Sequence, residues 1–189
     1  MSFVLSLLLA STPPPVATSN PSAQEQAVVR LGPHMGKLRF QAFSRLTDPF
    51  GQFDSWRGEV NIPGGDLTKA SVMVRVEIST LDTDNGKRDA HLKNSDFFDV
   101  PKWPLAVFNA QGLKPLGKNR YQVAGKLKMM GVTKPISFPA TVIWQAGKLS
   151  VKADFKLDRT TWGMTGFLSA LSMNPIKKGV RMILDLKTP

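Results

Sequence analysis

Alternation with a period of two constrains this chain more than any other feature. Between Lys148 and Asp158, the apolar residues Leu149, Val151, Ala153, Phe155 and Leu157 interleave with Lys148, Ser150, Lys152, Asp154, Lys156 and Asp158. Successive side chains of a strand point to opposite faces, so this pattern predicts a strand with one dry and one wet face. Val72, Val74, Val76 and Ile78 alternate with Met73, Arg75 and Glu77 in the same way, and 121–130 repeats the pattern. Fainter versions run over 38–44, 58–62, 106–110, 136–144 and 180–186. About eight strands follow, joined at turns such as Pro63-Gly64-Gly65-Asp66 and Gly117-Lys118-Asn119. Helical periodicity is confined to two short pieces, 88–99 and 166–173.

One-sided alternation over so many segments predicts an all-β fold, an antiparallel sheet closed into a barrel or folded into a sandwich. Strands of about nine to eleven residues favour an up-and-down barrel. A membrane pore needs an apolar outer face. Here Lys148, Lys152 and Lys156 share the outer face of one strand, and Lys126 and Lys128 that of another. The greasy faces therefore point inward. Many inward positions are small, including Gly58, Val60, Ala106, Ala110, Gly125, Ala140 and Ala153. Such a lining leaves room for a ligand unless the larger neighbours fill it.

The chain has 189 residues and no cysteine. That excludes thiol nucleophiles, disulfides and cysteine-based metal sites, and an N-terminal lipid anchor on cysteine. Its two histidines, His34 and His91, lie in no metal-ligand spacing, and no metal or catalytic signature occurs. Residues 1–29 read as a signal-like or disordered segment, followed by one β-barrel domain over 30–189. Phe3 to Ala10 is an apolar stretch of secretory length, followed by Pro13-Pro14-Pro15 and a small polar tract. No Lys or Arg precedes Arg30, so the positive start of a signal peptide is missing. The expectation is nevertheless a periplasmic or secreted protein, with cleavage near Ser19 or Ala23.

Net charge is +11. A basic surface of this kind is either a solvated face that keeps the protein soluble or a site for transient contact with anionic membranes. Nucleic acid is not expected, because the aromatic residues fall on inward faces or in one long connection rather than among the lysines.

That connection runs from Ile78 to Phe108 and is too long for a hairpin. It holds Asp82, Arg88, Asp89 and His91, then Phe97 and Phe98, then Trp103-Pro104. It is either a flap over the barrel or an active-site loop. The four polar residues are a gate for a ligand headgroup, or they are turn formers, with Asp82 and Asp89 as caps and Arg88 paired to a carboxylate. The aromatics plug the barrel end, touch a ligand, or both.

The same block resembles the YceI-like family of bacterial polyisoprenoid-binding proteins. The likeness rests on Ser79-Thr80-Leu81-Asp82-Thr83, Arg88-Asp89-Ala90-His91-Leu92, Asp96-Phe97-Phe98-Asp99 and Trp103-Pro104. Gly51-Gln52-Phe53, Trp56-Arg57-Gly58, Gly125-Lys126-Leu127, Gly131-Val132-Thr133-Lys134-Pro135 and Arg159 with Trp162-Gly163-Met164 continue it in order. Trp162 stands where phenylalanine is commoner. The resemblance implies a lipocalin-like eight-stranded antiparallel barrel with short helical segments, often dimeric, and exported. It implies a long isoprenoid or related amphiphile in an apolar tunnel, and no catalytic cofactor.

The expected function is therefore carriage or sequestration of a polyisoprenoid, quinone or similar lipid. The residues expected around its chain are Val74, Val76, Ile78, Phe97, Phe98, Trp103, Phe108, Leu127, Met129, Phe138, Val142, Val151, Phe155 and Trp162. The alternative is a filled barrel that docks on anionic membranes or on a partner protein. An enzyme using Asp82, Asp89 and His91 is disfavoured, because the chain has no nucleophile elbow, phosphate-binding glycine loop or metal spacing.

Overall fold

The computed structural model describes residues 26–168 and 174–189. The signal-like stretch Phe3 to Ala10, and most of the helical piece expected over 166–173, lie outside them.

The described residues form eleven strands in one antiparallel sheet. They are β1 (Gln26–Leu31), β2 (Gly36–Gln41), β3 (Phe50–Phe53), β4 (Trp56–Pro63), β5 (Ser71–Glu77), β6 (Leu81–Asp82), β7 (Leu105–Gly117), β8 (Arg120–Met129), β9 (Val132–Gln145), β10 (Lys148–Asp158) and β11 (Gly179–Lys187). One α-helix, α1 (Gly86–Lys93), sits between β6 and β7.

Eleven segments and an eight-stranded barrel agree once the breaks are located. A 3₁₀ turn at Pro33–Met35 separates β1 from β2, two residues separate β3 from β4, and a 3₁₀ turn at Ile78–Thr80 separates β5 from β6. The halves of each broken strand keep the same neighbours: β1 pairs with β4 and β2 with β3, while β4 pairs with β5 and β3 with β6. Strand β5 then pairs with β7, the ladder runs on from β7 through β11, and β11 closes on β2. Counted as continuous, eight strands form a ring.

The breaks follow from the sequence. Gly36 has φ +145°, and a Cβ there would stand 2.1 Å from the Asp185 carbonyl oxygen. Only glycine allows the chain to re-enter the sheet so close to β11. Strand β1 begins at Gln26, ahead of the boundary at residue 30 drawn from composition.

Three hairpins use two-residue turns with positive φ at both positions: Lys118-Asn119 and Ala146-Gly147 at one end of the strands, and Met130-Gly131 at the other. This turn matches the right-handed twist of the flanking strands.

One part of the interior is solid. Ile62, Leu67, Ala70, Leu113, Val123, Val142, Leu149 and Leu186 are all buried near the Lys118-Asn119 and Ala146-Gly147 turns. Ile62 and Leu149 are 0% and 1% exposed, so this end is packed shut.

Candidate functional site

The other end is hollow. A cavity of ≈ 210 Å³ lies where β2, β3 and β5, the start of β7, the end of β8, the start of β9, the end of β10 and the start of β11 converge. Among the described residues its walls are Leu, Ile, Val, Phe, Met, Ala and Trp, with Arg159 the one charged group.

The walls combine alternation with aromatic packing. Phe138 and Phe155 stack with ring centres 3.9 Å apart, and Phe108 lies 5.9 Å from Phe138. Phe108 also covers Gly125, where an added Cβ would meet its ring at 2.6 Å. The small inward residues therefore do not all leave space, because at Gly125 the room is taken by the Phe108 ring and, at 2.3 Å, by the Asn109 carbonyl oxygen of the paired strand.

Strands β9 and β10 stop pairing at Ala140 and Ala153, although β9 reaches back to Val132 and β10 runs on to Asp158. Pro135 and Pro139 occupy the stretch of β9 beyond that last rung. Proline has no N–H to donate, so it marks a strand edge that is left unpaired. The Phe138–Phe155 stack bridges this seam from the inside.

The segment from Thr83 to Pro104 is a flap over the hollow end. Asn85 caps α1, its Oδ1 accepting from the Arg88 N–H at 3.0 Å. Leu92 in the last turn of the helix, and Phe97 and Phe98 beyond it, reach the cavity. Phe98 meets Phe53 edge-on at 6.4 Å. Phe97 is buried and stacks on Phe167 of the β10–β11 connection at 6.1 Å, with the His91 ring edge-on to both at 5.2 Å. His91 Nε2 also lies 3.2 Å from Asp96 Oδ2. Flap and connection thus close over the cavity together. The β2–β3 connection joins them through the Lys177 N–H, which donates to the Phe43 carbonyl at 2.7 Å.

Of the fourteen residues expected around a lipid chain, Val74, Val76, Ile78, Phe97, Phe98, Phe108, Leu127, Met129, Phe138, Phe155 and Trp162 line the cavity. Trp103, Val142 and Val151 do not. Val142 and Val151 face each other on the packed side of the seam. Trp103 covers Gly131, where a Cβ would meet its ring at 2.5 Å, so it pins the flap to the β8–β9 turn.

The polar cluster divides, and none of its members lines the cavity. Thr83, only 5% exposed, is its centre. Asp89 Oδ1 accepts from the Thr83 N–H at 3.0 Å and from its hydroxyl at 2.5 Å. Arg88 donates from Nε to the same hydroxyl at 2.8 Å and from Nη2 to the Thr83 carbonyl at 2.6 Å. Asp82 accepts from the Asp84 N–H at 2.9 Å. Two expectations are corrected here. Arg88 bonds a threonine rather than a carboxylate, and the helix cap is Asn85 rather than an aspartate. The cluster fixes the hinge by which the flap leaves β6.

Sequence reasoning singled out neither Thr83 nor Arg159. Arg159 is 5% exposed and follows directly on β10. It donates from Nε to the Lys177 carbonyl at 3.2 Å and from Nη1 to Met164 at 2.7 Å. Its Nη2 donates to Gly166 at 2.8 Å and to Ile176 at 3.2 Å. The guanidinium stands 5.8 Å from the centre of the Phe97 ring. Burial lowers its pKa from the usual arginine value, the Asp158 charge working against that shift. A buried cation among carbonyls, in a wall otherwise without charge, was signalled only by its place in the Arg159-x-x-Trp162-Gly163 step. Trp162 is held beside it, its indole N–H donating to the Leu127 carbonyl at 3.1 Å.

Fold and cavity together define a class, an antiparallel barrel solid at one end and lined with hydrocarbon under a flap at the other. The YceI-like domain family model matches residues 30–188, and the chain belongs to that family. A protein of the UPF0312 group from Azotobacter vinelandii is 30% identical over 107 residues, 57% of this chain and 54% of that one. A Serratia proteamaculans member is 27% identical over 144 residues, covering 73% and 72%. The chain spans about half the length of the first curated relatives it matches. Among solved structures, Burkholderia cenocepacia BcnA superposes with a TM-score of 0.72 at 19% identity, over 81% of this chain and 96% of that one. A polyisoprenoid binding domain from Saccharophagus degradans, implicated in plant cell wall breakdown, gives 0.68 at 13% identity, over 86% and 98%. At these identities the superpositions establish the fold.

Proposed function

We propose that this protein binds a lipid chain in the flap end of its barrel and carries or sequesters it outside the cytoplasm. The observation that carries this reading is the cavity of ≈ 210 Å³ walled by hydrocarbon. An unfilled apolar space forfeits dispersion contacts that a packed core would make, and an apolar chain restores them. Burying each methylene contributes about 0.8 kcal/mol, offset in part by ordering the chain. The name of the Saccharophagus degradans neighbour supports an isoprenoid as one such chain. Export is supported by the apolar stretch Phe3 to Ala10 and the small polar tract after it. The filled-barrel alternative needs a packed interior, and only the end near Leu149 is packed. Binding rather than catalysis fits the polar cluster, since Asp82, Arg88 and Asp89 spend their hydrogen bonds on the flap hinge.

The test is native mass spectrometry and solvent extraction of the purified protein beside an Ala106→Phe variant. Ala106 is buried in the cavity wall, so a ring there fills the space without touching the flap hinge. Co-purifying lipid should appear with the parent chain and be absent from the folded variant. An empty parent chain that also fails to take up added lipid refutes the reading.

A further inference from the structure

The cavity sets two constraints beyond bare hydrophobicity. The first is a wall of hydrocarbon over its whole lining except at one residue, which takes an apolar chain with at most one polar end.

Arg159 supplies the second constraint. Its side chain is buried against the cavity, and among the described residues it makes no ion pair. The adjacent Asp158 carboxylate instead accepts from the Thr160 N–H at 2.9 Å and from its hydroxyl at 2.6 Å. A guanidinium carries five N–H donors. Among the described residues four are committed, to the carbonyls of Lys177, Met164, Gly166 and Ile176, and one hydrogen on Nη1 has no partner. Carbonyl dipoles solvate the charge without neutralising it, and a buried cation lacking a counter-ion favours an incoming anion. One free N–H suits a head that needs a single strong contact. A diphosphate would call for a fork of donors.

We propose that the cavity binds a single-chain carboxylic acid amphiphile, its carboxylate seated on Arg159 and its chain running into the barrel. This inference rests on the lipid-binding reading and narrows it. The carboxylate completes the hydrogen bonding of Arg159 and supplies the missing counter-charge. Arg159 then also acts as a positioning residue, because the carbonyls it holds belong to both limbs of the connection that closes the cavity.

The experiment uses parinaric acid, whose fluorescence rises on burial, and its methyl ester, at a pH where the acid is ionised. The parent chain should bind the acid about tenfold or more tightly than the ester, the factor that ~1.4 kcal/mol provides. Arg159→Gln should bring the two affinities together while ester binding persists, and Arg159→Lys should keep most of the preference. Equal affinities in the parent chain overturn the proposal, as does a preference that survives in Arg159→Gln. Should Arg159→Gln fail to fold, the acid and ester comparison in the parent chain still decides. Tight binding of the ester without preference sinks the carboxylate site and leaves the lipid reading standing. Binding of neither probe sinks both.

Discussion

Three glycines of the family-like motifs share one physical role, to lie beneath an aromatic ring. A Cβ at Gly51 would meet the Phe40 ring at 2.3 Å, one at Gly125 the Phe108 ring at 2.6 Å, and one at Gly131 the Trp103 ring at 2.5 Å. Gly125 lies within a strand and needs no unusual backbone, so space alone decides a substitution there: a Cβ would meet the Asn109 carbonyl oxygen at 2.3 Å as well as the Phe108 ring. Gly125→Ala should destabilise by about 1–3 kcal/mol in urea unfolding, the usual cost of overpacking. Adding Phe108→Leu to that variant should recover only the share of the loss that the ring causes, because the backbone contact remains. Acid sensitivity is also set by single residues. Asp66 and Asp158 each cap a 3₁₀ turn and accept both the N–H and the hydroxyl of the threonine two residues on. Those bonds hold both carboxyls below the ordinary aspartate range. A carboxyl with a lowered folded-state pKa contributes stability above its unfolded pKa of about 3.9 and loses it as pH falls through the folded value. Melting temperature should therefore be level above about pH 5 and fall below about pH 4, and Asp158→Asn should flatten that fall.

The flap is held by few contacts, and they are concentrated at its ends and at Phe97. The Thr83 hinge fixes one end, Trp103 on Gly131 the other, and Phe97 alone touches His91, Phe167 and the Arg159 guanidinium. Phe97→Ala should free the flap without unfolding the barrel. Limited proteolysis between Thr83 and Trp103 should speed up about tenfold or more, since ~1.4 kcal/mol of local stability is enough for that factor. Unchanged cleavage would mean that the flap is held elsewhere. The long polar connection was legible as a flap because its length exceeds any hairpin. Its centre was not, because Thr83 is unremarkable until the fold brings Arg88 and Asp89 onto its hydroxyl. Alternation likewise identified the inward faces of β5, β8 and β10. It gave no height along the barrel axis, so Val142 and Val151 have the parity of cavity residues yet sit at the packed end. The broken strands were hidden for a related reason. Alternation shows in β2 and β4, but β1 and β3 are six and four residues long and went unread, and the break at Gly36 is dictated by the Asp185 carbonyl, about 150 positions away in sequence and unpredictable from local turn chemistry.

A barrel closed at one end and hollow at the other separates stability from binding. Around Leu149 and Ile62 the side chains are essentially without exposure and carry the packing that holds the ring together. Around Ala106 and Leu127 part of the wall faces empty space, so truncation there removes fewer contacts, and filling that space adds some. Leu149→Ala should therefore cost about 2–5 kcal/mol in equilibrium unfolding and leave lipid affinity unchanged. Ala106→Phe should cost little or add stability, and should abolish binding. Linkage gives the cross-check. A ligand at 100 times its Kd stabilises the folded state by about 2.7 kcal/mol. Parinaric acid at that excess should raise the unfolding free energy of the parent chain and of Leu149→Ala by the same increment, and that of Ala106→Phe by none. Equal increments in all three variants would place the bound chain outside the cavity. A loss of the increment in Leu149→Ala would mean that the two ends of the barrel are one cooperative site.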